Sequence, residues 1–427
     1  MSSDIDLNCT VNREYIQTGK KAAVYLSLDI IPPEATEVLD TMKPLNICIA
    51  IDRSGSMREE NKIGNAKLAT NQLIQALKPT DYVSIVSFSD NKRVEVDSQP
   101  ANHVGVFQKA VESINAKGST DIHSALQASF EQIMRQNGKF TEVPVNRIIL
   151  LTDGQPTVGK KSIDDFVVLS ETIRRNNMSV TVLGLGSDYN EQLLSAVAST
   201  SDGSWYHVTD PTNLPCIFSE ELLEMKTIVM VKPELQIQPM NGAQITDIYK
   251  VRPVLDQIKK IDIKNETHII PLGDLVGGQP QNIVMKVELP PKNSGTYQIA
   301  QATLASGKNT ITREVKVNYT DDTALFSKES DPYPRVLLLT SEGTILLRQG
   351  VASGDETLIT QAQTLLKQTF TDPNVITIVK TSELIQNLVG RFNNSYEATI
   401  IKKGNLSQED KKKVISETTV IKKQATK

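Results

Sequence analysis

Cysteine is scarce in this chain of 427 residues: Cys9, Cys48 and Cys216 are odd in number and far apart. They form no evident disulfide framework, and Cys48, inside an apolar run, reads as a small buried hydrophobe rather than a reactive thiol. Histidine is nearly as rare, and His103, His123, His207 and His268 sit at no metal-ligand spacing. No stretch approaches the roughly 18 continuous apolar residues of a membrane span. Residues 1–21 carry neither an apolar signal core nor a cleavage pattern. A net charge of -4 argues against a dedicated nucleic-acid binder. These absences together lead to the expectation of a soluble, cytoplasmic protein with neither membrane nor nucleic acid as partner.

What is present begins with an alternation. The length points to two or three domains. Near-continuous Ile/Val/Leu runs at 45–51, 82–88, 147–152, 179–186 and 205–208 are the pattern of strands buried on both faces, as in a mostly parallel sheet. Between them Ile63, Ala66, Ala69, Leu73 and Leu77 mark one helical stripe, and Ile122, Ala125, Leu126, Phe130 and Ile133 mark another. The alternation predicts a doubly wound, Rossmann-like α/β domain over 44–225, with ligands at the carboxyl ends of its strands.

The flanks differ in kind. Val24, Leu26, Leu28 and Ile30 alternate with polar residues before Pro32-Pro33, and Ile283, Met285, Val287 and Leu289 alternate in the same way far downstream. Two N-terminal strands make no stable sheet alone. The expectation is an all-β sandwich built from 1–43 and 226–320, into which the α/β domain is inserted. Residues 321–400 read as a small helical region, with Leu358, Ile359, Ala362, Leu365, Leu366 and Phe370 as its clearest stripe. Residues 401–427 read as a basic flexible tail.

One short segment dominates the functional reading. Asp52-Arg53-Ser54-Gly55-Ser56 follows directly on the first apolar strand, placing a carboxylate and two hydroxyls on one side of a tight loop. Gly118-Ser119-Thr120-Asp121 opens a helix, and Thr152-Asp153-Gly154 ends a second buried strand. Asp52, Ser54, Ser56, Thr120 and Asp153 offer oxygen donors only, which suits Mg²⁺, Mn²⁺ or Ca²⁺ rather than zinc or copper.

The three segments resemble the metal-ion-dependent adhesion site (MIDAS) of a von Willebrand factor type A (vWA) domain, with all five positions filled by the expected residue types. The resemblance covers 44–225. It implies that Ser54, Ser56 and Thr120 ligate a divalent cation directly, Mg²⁺ first and Ca²⁺ or Mn²⁺ otherwise, with Asp52 and Asp153 in the inner or second shell. An ion held mainly by neutral hydroxyls keeps much of its charge and attracts an outside carboxylate. The implied function is therefore a non-catalytic binding module or scaffold that captures an Asp or Glu of a partner protein. The flanking β-sandwich is similar to the arrangement in intracellular vWA proteins of bacteria and archaea.

Other signals are weaker. Residues 154–161 nearly spell a phosphate-binding loop, but Lys161 stands where Ser or Thr would hold Mg²⁺, and Pro156 removes a backbone N–H. A nucleotide-binding enzyme using Lys160, or an accessory subunit of a chelatase-like ATPase, is the alternative. Thr418 and Thr419, followed by aliphatic residues in a basic segment, resemble phosphothreonine peptides read by forkhead-associated (FHA) domains. That adds an FHA protein or a Ser/Thr kinase to the expected partners.

Overall fold

The computed structural model describes residues 5–34, 42–136, 138–186, 188–259, 261–306, 309–371, 373–401, 411, 414, 415 and 418. The chain divides into two compact units, one of residues 1–34, 233–271 and 278–427, the other of 35–232 and 272–277.

The second unit is the doubly wound α/β domain. Its six-stranded sheet runs Lys92–Pro100, Tyr82–Phe88, Leu45–Asp52, Val145–Thr152, Met178–Leu185, Trp205–Val208 in spatial order. All neighbours are parallel except the edge strand Lys92–Pro100. Chain order reverses between Leu45–Asp52 and Val145–Thr152, the switch point at which such sheets open a crevice. The apolar continuity of the central strand has a simple cause. Ile47, Ile49 and Ile51 pack with Ala66, Leu73, Phe107 and Phe218 of the helices on one face. Cys48 and Ala50 pack with Leu126, Phe166 and Leu193 of the helices on the other. Each fully buried aliphatic side chain contributes about 1.5–3 kcal/mol, so the strand that carries Asp52 is strongly fixed.

The edge strand Lys92–Pro100 was not among the expected ones. Its Lys92, Arg93 and Val94 are exposed, so it lacks the apolar run that marks its neighbours.

In the other unit, the strand Ala22–Ile31 lies between Asp6–Val11 and Gln281–Leu289, all antiparallel, with Val24 opposite Val287, Leu26 opposite Met285 and Leu28 opposite Ile283. A second antiparallel sheet is centred on Glu234–Pro239, Gly295–Ser306 and Asn309–Thr320. Alternate residues divide the faces of the first sheet. Tyr249, Val251 and Val284 pack against Val336, Leu337 and Ile345 of the helix Tyr333–Ser353, while Ile283, Met285 and Val287 are buried on the opposite side. Helices Glu356–Phe370, Pro373–Thr381 and Glu383–Ile401 follow. Pro373–Thr381 lies within the expected helical region, 321–400.

Three boundaries differ from the sequence expectation: the α/β unit begins at 35 rather than 44, its main segment runs to 232 rather than 225, and it takes in 272–277. Ile228–Met230 pairs with Leu275–Val276, and both belong to the α/β unit rather than to the sandwich. The reason is electrostatic as well as geometric: Asp274 accepts from the backbone N–H of Lys232 (3.1 Å) and pairs with buried Arg147 (3.4 Å), fastening the 272–277 loop there.

The tail is also not uniformly free. Val414 is helical and buried with Leu347, Val351, Leu366 and Phe392. Thr418, one turn on, is 1% exposed and donates its hydroxyl to the Val414 carbonyl at 2.7 Å. Spacing of i, i+4 puts both on one face, and the internal hydrogen bond makes the Thr tolerable there. Thr419 lies outside the described residues. Among the described residues no helix is long and apolar enough to cross a membrane.

Candidate metal centre

Asp52 is the last residue of the central strand and Asp153 follows directly on its parallel neighbour, where Ile51 is opposite Leu151. The two carboxylates thus flank the switch point. Asp52 is buried and has both oxygens engaged: Oδ1 accepts from the Ser54 backbone N–H (2.7 Å) and Oδ2 from the Thr152 hydroxyl (2.6 Å). The first bond is an Asx turn, which Asp favours because its short side chain reaches the amide two residues on. It turns the chain so that Ser54 Oγ and Ser56 Oγ face each other at 3.2 Å. Ser56 then donates to Asp153 Oδ1 at 2.8 Å, with Ser54 Oγ at 3.5 Å from the same oxygen.

The Thr120 loop is stitched to this turn. Gly55 N–H donates to the Gly118 carbonyl (3.0 Å), and Lys117 N–H donates to the Arg53 carbonyl (2.6 Å). Gly118 has φ +89°, and a side chain there would collide with the Asp90 carboxylate that accepts from Ser119 N–H. Thr120 is buried, and its Oγ1 lies 3.5 Å from where a Cβ on Gly154 would stand. Arg53 braces the back of the turn through Ser87 (3.2 Å) and Asn91 (3.0 Å).

Burial pushes the Asp52 carboxyl up to about 7, against the pull of its two hydrogen bonds and with a further push from the Asp153 charge. Asp153 has a cationic neighbour that sequence reasoning missed. Lys62 Nζ donates to Asp153 Oδ2 at 3.0 Å, and both side chains are nearly inaccessible, 9% and 0% exposed. Only the fold reveals this contact, since ninety-one residues separate the two. Thr152 and Arg53 were likewise quoted in the motifs without their supporting roles.

Among the described residues there is no cluster of three or more His, Cys, Asp or Glu. The donor set is instead two carboxylates and three hydroxyls, three of them (Ser54, Ser56 and Asp153) already within 3.5 Å of a neighbour in the set. All are hard oxygens, the chemistry that a Mg²⁺, Mn²⁺ or Ca²⁺ ion takes. The residues present fit such an ion.

The 154–161 loop spends two of its amides on Thr120. Thr157 and Val158 N–H both donate to the Thr120 carbonyl (2.9 and 3.3 Å), and Lys160 pairs with Asp165 at 2.9 Å. It braces Thr120 rather than presenting a cradle for phosphate. His123, in the first turn of the helix Ile122–Met134, packs edge-on against Phe166 at 5.3 Å.

The α/β unit is a vWA domain: residues 46–220 match the family model of the von Willebrand factor type A domain. Among curated proteins, the chain is similar to the Synechocystis protein sll0103, 25% identical over 340 residues, covering 76% of this chain and 79% of that one. It is 32% identical to human inter-alpha-trypsin inhibitor heavy chain H4 over 177 residues, 40% of this chain and 18% of that much longer one. Among solved structures, a von Willebrand factor type A protein from Catenulispora acidiphila aligns over 99% of this chain and 98% of its own, with TM-score 0.71 and 17% identity. That likeness is one of fold, and it extends through the sheets and helices outside the vWA domain.

Proposed function

We propose that the chain is a metal-dependent protein-binding module. A divalent cation, Mg²⁺ first among the candidates, is held by Ser54, Ser56 and Thr120 with Asp52 and Asp153 beside them, and it captures an Asp or Glu side chain of a partner protein. The observation that carries this reading is the gathering of oxygen-bearing side chains at the switch point, where Ser54, Ser56 and Asp153 are joined by hydrogen bonds of 3.5 Å or less and Asp52 accepts from the Ser54 backbone N–H. vWA domains in general mediate protein–protein interactions, which supports the assignment of class. Bound there, the ion supplies an unfilled coordination position for a carboxylate oxygen. The chain's own residues fix the hydroxyls, exclude water from Asp52 and brace the loops.

The module binds and does no chemistry. The hydroxyls of Ser54 and Ser56 face one another and Asp153, not a base set to activate a nucleophile. No specific observation favours the nucleotide-binding alternative: Thr157 and Val158 N–H are taken by the Thr120 carbonyl and Lys160 by Asp165. Regulation through Thr418 requires its helix to open first, since the hydroxyl is buried; an FHA protein or kinase is therefore not part of this proposal.

The test is affinity capture from native cells on the full chain, with and without EDTA, alongside Asp52→Ala and Thr120→Ala. The expected result is a partner band lost on chelation and in both variants, at least tenfold by quantitative mass spectrometry. A partner list indifferent to EDTA and to both substitutions refutes the proposal.

A further inference from the structure

Lys62 is placed where ordinary stability would not put it. It is the first residue of the helix Lys62–Gln75, so its cation sits at the positive end of the helix dipole. It is also buried, and removing an ammonium from water is costly. The chain reaches this position through two consecutive left-handed residues, Glu60 (φ 49°) and Asn61 (φ 53°), neither of them glycine. Gly186, itself at φ +73°, lies beside the ammonium, and a Cβ there would stand 3.7 Å from Nζ. Three local preferences are thus set aside to bring one ammonium to Asp153 Oδ2 at 3.0 Å.

The consequence is a matter of charge. With an ion bound, ionised Asp52 and Asp153 bring two negative charges to the pocket and Lys62 returns one positive charge. A divalent ion in the company of this triad is neutralised by half. Lys62 also occupies the Asp153 oxygen that does not face Ser56, so Asp153 offers the pocket only Oδ1.

We propose that Lys62 is the positioning residue that sets the site's appetite for a foreign carboxylate. It holds Asp153 back from full engagement with the ion and trades metal affinity for anion affinity. This rests on the metal-dependent reading above. Without the ammonium, the ion gains a full carboxylate, binds more tightly and has less charge left for a partner.

The experiment uses the full chain as wild type, Lys62→Met, Lys62→Gln and Lys62→Arg, with Mn²⁺ as the probe. Free Mn²⁺ is counted by electron paramagnetic resonance. Acetate is then titrated onto the loaded protein, and displacement of metal-bound water is followed by proton relaxation. K62M and K62Q are expected to bind Mn²⁺ at least tenfold more tightly than wild type and to need at least fivefold more acetate, with K62R close to wild type. Melting temperatures identify a variant that fails to fold, and the second neutral substitution then carries the comparison. Wild-type binding of Mn²⁺ with unchanged or weaker binding in the folded neutral variants overturns the role of Lys62 alone. Absence of Mn²⁺ binding in wild type and variants at millimolar concentration overturns both this role and the binding module beneath it.

Discussion

Raising the pH should loosen the vWA domain of the metal-free protein, and a divalent ion should restore it. Asp52 is fully buried at the end of the central strand, and burial lifts its carboxyl from an ordinary 3.8 to about 7 although Ser54 N–H and the Thr152 hydroxyl both favour the anion. The folded protein therefore holds this proton more tightly than the unfolded chain does. The resulting stability is complete below about pH 4 and is lost as pH rises through about 7. At about 1.4 kcal/mol per tenfold change, the interval from 3.8 to about 7 is worth on the order of 4 kcal/mol. A cation that prefers the carboxylate offsets the loss by mass action. Hydrogen-exchange mass spectrometry on the full chain follows the amides of Leu45–Asp52 from pH 5 to 8 in EDTA, corrected for intrinsic exchange. The opening free energy should fall across this window in wild type, stay level in Asp52→Asn, and be levelled in wild type by millimolar Mg²⁺. Parallel curves for wild type and D52N would show that Asp52 does not carry the pH dependence.

Two further outcomes follow from packing. Gly203→Ala drives a Cβ into the backbone oxygen of Val180 in the strand Met178–Leu185, so the vWA domain should lose about 3 kcal/mol, read as a lower urea midpoint for that strand's exchange protection. Thr418→Glu buries a carboxylate beside Val414 and should cost on the order of 3 kcal/mol, whereas Thr418→Val should stay within about 1 kcal/mol of wild type; thermal melts of the full chain compare the two.

The central features were legible because their physics is local. A strand buried on both faces by helices has no polar alternation, so Ile47 to Ile51 announce it, and an Asx turn needs only the spacing of Asp52 and Ser54. The same locality explains the failures. Lys62 looks like any surface lysine before an amphipathic stripe, and its partner Asp153 is distant in sequence. The edge strand Lys92–Pro100 exposes its charges, which disguises it as a loop. Thr418 is polar by composition yet buried, because the hydroxyl finds its acceptor within its own helix. The 272–277 segment follows Asp274, whose attachment to Arg147 no periodicity encodes.

The pairing of Ala22–Ile31 with Gln281–Leu289 has a consequence for synthesis on the ribosome. Val24 cannot meet Val287 until more than two hundred and fifty further residues have been made. Until then the amino-terminal hairpin, Asp6–Val11 with Ala22–Ile31, is a two-stranded ribbon of marginal stability. Meanwhile the vWA segment emerges whole and is able to fold first as a closed excursion of the chain, which shortens the gap that the waiting strand must bridge. A chain halted after residues 272–277 have emerged, but before Leu289 has, therefore leaves a finished binding domain attached to an open sheet edge, a species that chaperones would be called on to shield.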